Sequence, residues 1–144
     1  SIIGFKDFHT RAHLYRALIE GLAFALRSGK ERIERRTTTP ITRIRLSGGG
    51  AQSDKVVQIM ADVLNLPVER FEDCEASGRG AAVVAAAALG RYPSIAAAGA
   101  AMVGETRLTA PNVRAVACYD NLYQTAYQPL YGRLKSLFAK QFSS

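Results

Sequence analysis

Three consecutive glycines between a β-branched run and an amphipathic helix constrain this chain more than any other feature. Ile44-Arg45-Leu46 reads as the end of a strand, Ser47 to Gln52 as a turn, and Ser53-Asp54-Lys55 as a helix start. Glycine reaches φ > 0 without steric cost and leaves its backbone N–H groups bare. Ahead of a helix N-terminus, with its partial positive charge, such a turn suits a phosphate. Ser53 is the expected N-cap and Asp54 puts a carboxylate in the first turn. Val57, Met60, Ala61 and Leu64 follow at i, i+3, i+4 and i+7 before Pro67 closes the segment. Two familiar phosphate motifs are absent. Gly-x-Gly-x-x-Gly fails at Gln52 and Ser53, and the Walker pattern fails because Lys55 follows Asp54 rather than glycine. Taken alone, the triplet could serve only as a tight turn between strand and helix.

The rest of the chain alternates strand and helix, which places it in the α/β class. Ile2 to Phe5 reads as the end of a strand. Thr10 caps a helix to about Arg35, with Leu14, Leu18, Leu22 and Ala25 beside Tyr15, Ile19, Ala23 and Leu26. So wide an apolar band predicts burial over much of its circumference. Ile41 to Leu46 is a strand, and Pro67 to Phe71 a second. Helices follow over Ala81 to Leu89 and from Ser94 through Met102, then a loop from Gly104 to Asn112. A last helix runs from about Ala117 to Gln141, and Pro129 should kink or interrupt it. The alanines of 81–89 suit a helix lying close to a sheet. Residues 1–144 are read as a single domain, long enough for a core. No apolar run approaches the ~20 residues of a membrane span. Cys74 and Cys118 form no Cys-x-x-Cys unit, and free thiols in a reducing cytoplasm are the simplest reading.

Several other residues invite a chemical reading. His9 and His13 stand at i, i+4, but no spaced Cys, Asp or Glu completes a metal set, so they read as a helix-start pair. Arg16 and Glu20 read as an ion pair. Tyr119, Tyr123, Tyr127 and Tyr131 recur every four residues and read as a packing face rather than a base-stacking platform. The formal charge is +7, with Arg27, Lys30, Arg32, Arg35, Arg36, Arg43 and Arg45 in one region. A basic patch of this kind can mark nucleic-acid binding. Glu31 and Glu34 are interleaved and aromatic residues are missing there, so no nucleic-acid partner is expected, nor a membrane one. Arg79 reads as a solvated turn arginine. Asp54 and Asp62 read as solvated, dipole-compensating carboxylates.

Three blocks of sequence resemble the C-terminal region of the FGGY carbohydrate kinases. Ser47 to Ser53, with Gln58, Ala61-Asp62 and Leu66-Pro67-Val68, resembles that family's signature. Arg16-Ala17-x-x-Glu20-Gly21 resembles its preceding helix, and Glu75 through Gly80-Ala81-Ala82 its Glu-x-x-x-x-Gly-Ala-Ala segment. Tyr119-Asp120-x-Leu122-Tyr123 and Leu130-Tyr131 are similar to its last helix. Family members often carry Ala-Leu-Gly where this chain has Gly78-Arg79-Gly80. The resemblance implies an actin-like (ribonuclease H-like) ATPase lobe, a mixed sheet flanked by helices. It implies the C-terminal, nucleotide-binding half of a two-lobed cytoplasmic kinase that moves the γ-phosphoryl group of ATP, with Mg²⁺, to a sugar or polyol hydroxyl. Gly48, Gly49 and Gly50 would lie under the α- or β-phosphate, with Ala51 beside them and Gln52 and Ser53 toward the adenosine. Replacing Gly49 by Val should therefore block the site, by filling it and by resisting φ > 0. The catalytic base, the metal carboxylate and most sugar contacts would come from the other lobe, so no catalytic residue is assigned. The chain alone would be inactive, a designed piece or a proteolytic remnant whose orphaned surface favours homo-oligomers. A non-catalytic nucleotide-binding module, acting as sensor or scaffold, is the alternative of the same architecture.

Overall fold

The computed structural model describes residues 3–71, 75–102 and 104–141, with side chains to 135. Helix α1 spans Arg11–Thr37, and the strand β1 spans Ile44–Leu46. A short 3₁₀ turn, Gly49–Gln52, leads into α2, Asp54–Leu64, and then β2, Val68–Phe71. Helices α3 (Ala76–Ala88) and α4 (Ile95–Met102) follow, then β3, Thr106–Thr109. Helix α5 (Val113–Leu122) passes through a π turn, Tyr123–Tyr127, into α6, Gln128–Gln141.

The sheet has the order β1-β2-β3. Strand β1 runs parallel to β2, with Ile44 opposite Val68, and β3 runs antiparallel to β2, with Arg70 opposite Arg107. The parallel pair is joined through α2, the crossover such a pair requires. The sheet is therefore mixed, as the family resemblance implies.

Helix α2 is the centre of the core. Val57, Met60, Ala61, Val63 and Leu64 are buried together with Ala23 and Phe24 of α1, Val68 of β2, and Tyr119 and Tyr123. Ser53 caps α2 by accepting from the Val56 N–H at 3.4 Å, as the sequence predicts. Asn65 ends the helix in the left-handed conformation, a common stop ahead of Pro67.

Several expectations need correction. Ile3 to Phe5 is not a strand, and Ile2 lies outside the described residues, as does Cys74; Cys118 is a free, exposed thiol. The segment read as a loop over 104–112 contains β3, too short for its alternation to show in sequence. Helix α3 begins at Ala76 rather than Ala81, so Gly78 and Gly80 are helical despite their poor propensity. It packs against α4, where Gly99 lies 3.9 Å from Val83 for an added Cβ, and buries none of its residues. Helix α5 starts early because Asn112 caps it, accepting from the Arg114 and Ala115 N–H groups at 3.0 and 3.3 Å. Upstream of Pro129 the chain widens into the π turn. A proline has no N–H and crowds the carbonyl four residues back, and the wider turn accommodates both defects. Most telling is α1, which buries only Ala23 and Phe24. Tyr15, Leu18, Leu22, Leu26 and Ile33 are exposed along one side of it.

Candidate glycine-turn site

Ser47 and Gly48 leave β1 and reverse the chain into the 3₁₀ turn. Gly48 has φ 85° and ψ −174°, a region essentially closed to any residue with a Cβ. Its carbonyl accepts from the Ala51 N–H at 3.0 Å, the first bond of the turn. The amides of Gly49 and Gly50 precede that bond, so neither has an acceptor within the turn. A Cβ built on Gly48 or Gly49 would meet nothing within 4 Å, and one on Gly50 only Val56 at 4.0 Å. Among the described residues the glycine face is thus open, with two amides that have no acceptor in the turn and a helix N-terminus beside it. Ala51 is fully buried and anchors the turn from below, while Gln52 and Ser53 are exposed. The left-handed constraint expected at Gly49 falls on Gly48 instead. Substitution at Gly49 would act through space, without backbone strain.

The sequence pattern missed the group that holds this turn from the sheet. Arg70 of β2 donates through Nη1 to the Ala51 carbonyl at 2.7 Å and through Nη2 to the Asp54 carboxylate. Its side chain is only 11% exposed. Arg107, opposite it on β3, lies 3.6 Å from the same carboxylate. One signal was available: Arg70 falls two residues after Val68 and so shares its inward face. On the other face Arg45 donates to Glu69 at 2.9 and 3.1 Å, which holds the Glu69 carboxyl below its ordinary range. Asp54 is exposed, as expected. Asp62 is not: it is buried and accepts from the Asn112 N–H at 2.7 Å and Gln58 Nε2 at 2.8 Å, tying α2 to the start of α5.

Other candidate residues are absorbed by the scaffold. His13 Nδ1 accepts from the Thr10 N–H and hydroxyl at 3.1 and 2.9 Å, and His9 Nδ1 accepts from the Lys6 N–H at 2.8 Å. Arg16 and Glu20 pair at 2.7 Å, and Tyr119 donates to Glu20 at 2.7 Å. Burial first, and then the bond to Glu20, push the Tyr119 phenol above its ordinary pKa; burial and Glu31 do the same for Tyr123. Tyr119, Tyr123 and Tyr127 form the expected packing face around Phe24, whereas Tyr131 is exposed. Arg79 is a half-buried helical residue, its guanidinium 4.7 Å over the Phe71 ring, not a solvated turn arginine. The basic region is partly self-compensated. Arg27 pairs with Asp120 at 2.5 Å and Lys30 with Glu34 at 3.0 Å.

A groove of about 540 Å³ opens between α1 and α2 beside the turn, lined by Tyr15, Ile19, Ser53, Lys55 and Gln58 among others. Among the described residues no three His, Cys, Asp or Glu side chains converge as a metal site, and no helix is long and apolar enough to cross a membrane.

Residues 1–89 match the family described as FGGY family of carbohydrate kinases, C-terminal domain. The xylulose kinase of Lactococcus lactis is 34% identical over 125 residues, 86% of this chain and 25% of that protein. The L-xylulose/3-keto-L-gulonate kinase of Escherichia coli is 34% identical over 137 residues, 95% of this chain and 27% of its own length. The crystal structure of xylulose kinase from Rhodospirillum rubrum superposes with a TM-score of 0.79 at 32% identity, covering 96% of this chain and 28% of that one. The chain thus spans about a quarter of the length of the curated relatives it matches.

Proposed function

This chain belongs to the FGGY family of carbohydrate kinases, and we propose that it is the nucleotide-binding half of an ATP-dependent kinase acting on a sugar or polyol hydroxyl. The observation that carries this is the open glycine face, Gly48 to Gly50, set against the N-terminus of α2. Phosphoryl transfer depends on positioning and on offsetting charge. The Gly49 and Gly50 amides would hold a phosphate, Ala51 would anchor the turn, and Gln52 and Ser53 would face the nucleoside. ATP supplies the phosphoryl group when bound. Mg²⁺, the base and the sugar contacts belong to a second lobe of a longer polypeptide. The exposed side of α1 and the outer edge of β1 fit the seat of further chain from that polypeptide. In this reading residues 1–144 act as one domain.

Titration of ADP into the ¹⁵N-labelled chain tests the site. Amide shifts should centre on Gly48–Ser53, with a dissociation constant near the millimolar range, or roughly −4 kcal/mol, because one lobe offers only part of the contacts. Shifts confined to residues remote from the turn would sink the assignment.

A further inference from the structure

We propose that Arg70 is the positioning residue of the glycine turn, a strand-borne clamp that holds the turn in its nucleotide-binding shape; this rests on the nucleotide reading above. The chain changes direction twice between Gly48 and Asp54. It enters a 3₁₀ turn, becomes extended at Ser53 (φ −95°, ψ 114°), and re-enters a helix. The extended residue breaks the hydrogen-bond ladder, so the carbonyls at the end of the 3₁₀ turn lose the N–H donors a continuous helix would give them. Arg70 takes that place at Ala51, and its other nitrogen holds Asp54 on the far side of the joint. One rigid guanidinium thereby welds both sides of a two-helix joint to the central strand. A lysine, with a single point of charge, could not span both acceptors with the same geometry.

The clamp also has an electrostatic consequence. Asp54 puts a negative charge in the first turn of α2, beside the place proposed for a phosphate. Arg70, with Arg107 at 3.6 Å, offsets that charge from the sheet side. An anion can then approach the glycine amides without facing an uncompensated carboxylate. Arg70 itself is nearly covered and has both terminal nitrogens engaged, so it acts through the turn.

Three variants separate this role from general support of the fold. In the free chain, hydrogen exchange of the Ala51 amide, which is bonded to the Gly48 carbonyl at 3.0 Å, should accelerate about tenfold in Arg70→Gln, the effect of losing a charge-assisted hydrogen bond, while amides in the middle of α1 and α5 keep their protection. Arg70→Lys should fall between the two. Asp54→Asn leaves the Ala51 bond in place and still offers Nη2 a side-chain oxygen across the joint, so it should keep most of the wild-type protection at the turn and, with one negative charge fewer beside the phosphate, bind ADP no more weakly. ADP affinity should drop about tenfold in Arg70→Gln and partly recover in Arg70→Lys. Unchanged exchange at the turn in Arg70→Gln would overturn the proposal, as would equal losses of ADP affinity in Arg70→Gln and Asp54→Asn. If ADP leaves the wild-type turn unperturbed, the nucleotide reading falls, and the exchange data still decide whether Arg70 holds the turn.

Discussion

Gly48 is the residue at which side-chain chemistry and backbone geometry conflict most sharply. Its φ of 85° with ψ near 180° is open to glycine and strained for anything else, by about 1–3 kcal/mol. Gly49, one position on, has no positive φ, and the space a methyl group would occupy there is open. Gly48→Ala should therefore lower stability by about 1–3 kcal/mol and distort the turn, whereas Gly49→Ala should change stability by less than about 1 kcal/mol. Chemical denaturation of the two variants checks this, and equal losses would show that the strain is shared along the triplet. The triplet itself was legible in sequence. Which of its members carries the left-handed residue was not, because that depends on how the 3₁₀ turn is seated on Ala51 and Arg70.

At the scale of elements, α5 and the π turn are held to α1 by buried phenols. Tyr119 donates to Glu20 at 2.7 Å and Tyr123 to Glu31 at 3.0 Å. Both phenols titrate above their ordinary value, principally through burial. A raised folded-state pKa favours the protonated form in the fold. Its contribution is fully present below the unfolded value near pH ~10 and is lost as pH rises through the folded value. Stability should thus fall on the alkaline side, and Tyr119→Phe or Tyr123→Phe should flatten that fall, as followed by circular dichroism against pH. An unaltered alkaline slope in both variants would refute the assignment. Asp62 offers a second check at this scale. Asp62→Ala leaves the Asn112 N–H without its acceptor and Gln58 with only the Ala110 carbonyl at 3.1 Å, and should cost about 2–3 kcal/mol; thermal unfolding of the variant measures it. The four-residue stripe of tyrosines announced a packing face, but it could not announce Asp62. A carboxylate on a helix reads as solvated until the loop that needs it is in place.

For the whole molecule, the long apolar side of α1 is the feature that most shapes behaviour. Tyr15, Leu18, Leu22, Leu26 and Ile33 stay exposed, Leu22 at 64%. Contiguous apolar surface of this kind drives association when nothing covers it. The chain should self-associate with rising concentration in light scattering, and Leu22→Glu should shift it toward monomer; a monodisperse wild-type monomer at high concentration would rule this out. By itself the sequence determined the α/β alternation, the α2 helix with its N-cap, the tyrosine face and the glycine turn, because each rests on local periodicity or on a residue with special backbone freedom. Only the tertiary structure decided which apolar residues are buried, that Thr106–Thr109 joins the sheet, that Asp62 is internal, and that Arg70 grips the turn. Those outcomes depend on partners distant in the chain: periodicity marks a face as apolar, whereas burial requires another element to lie against it.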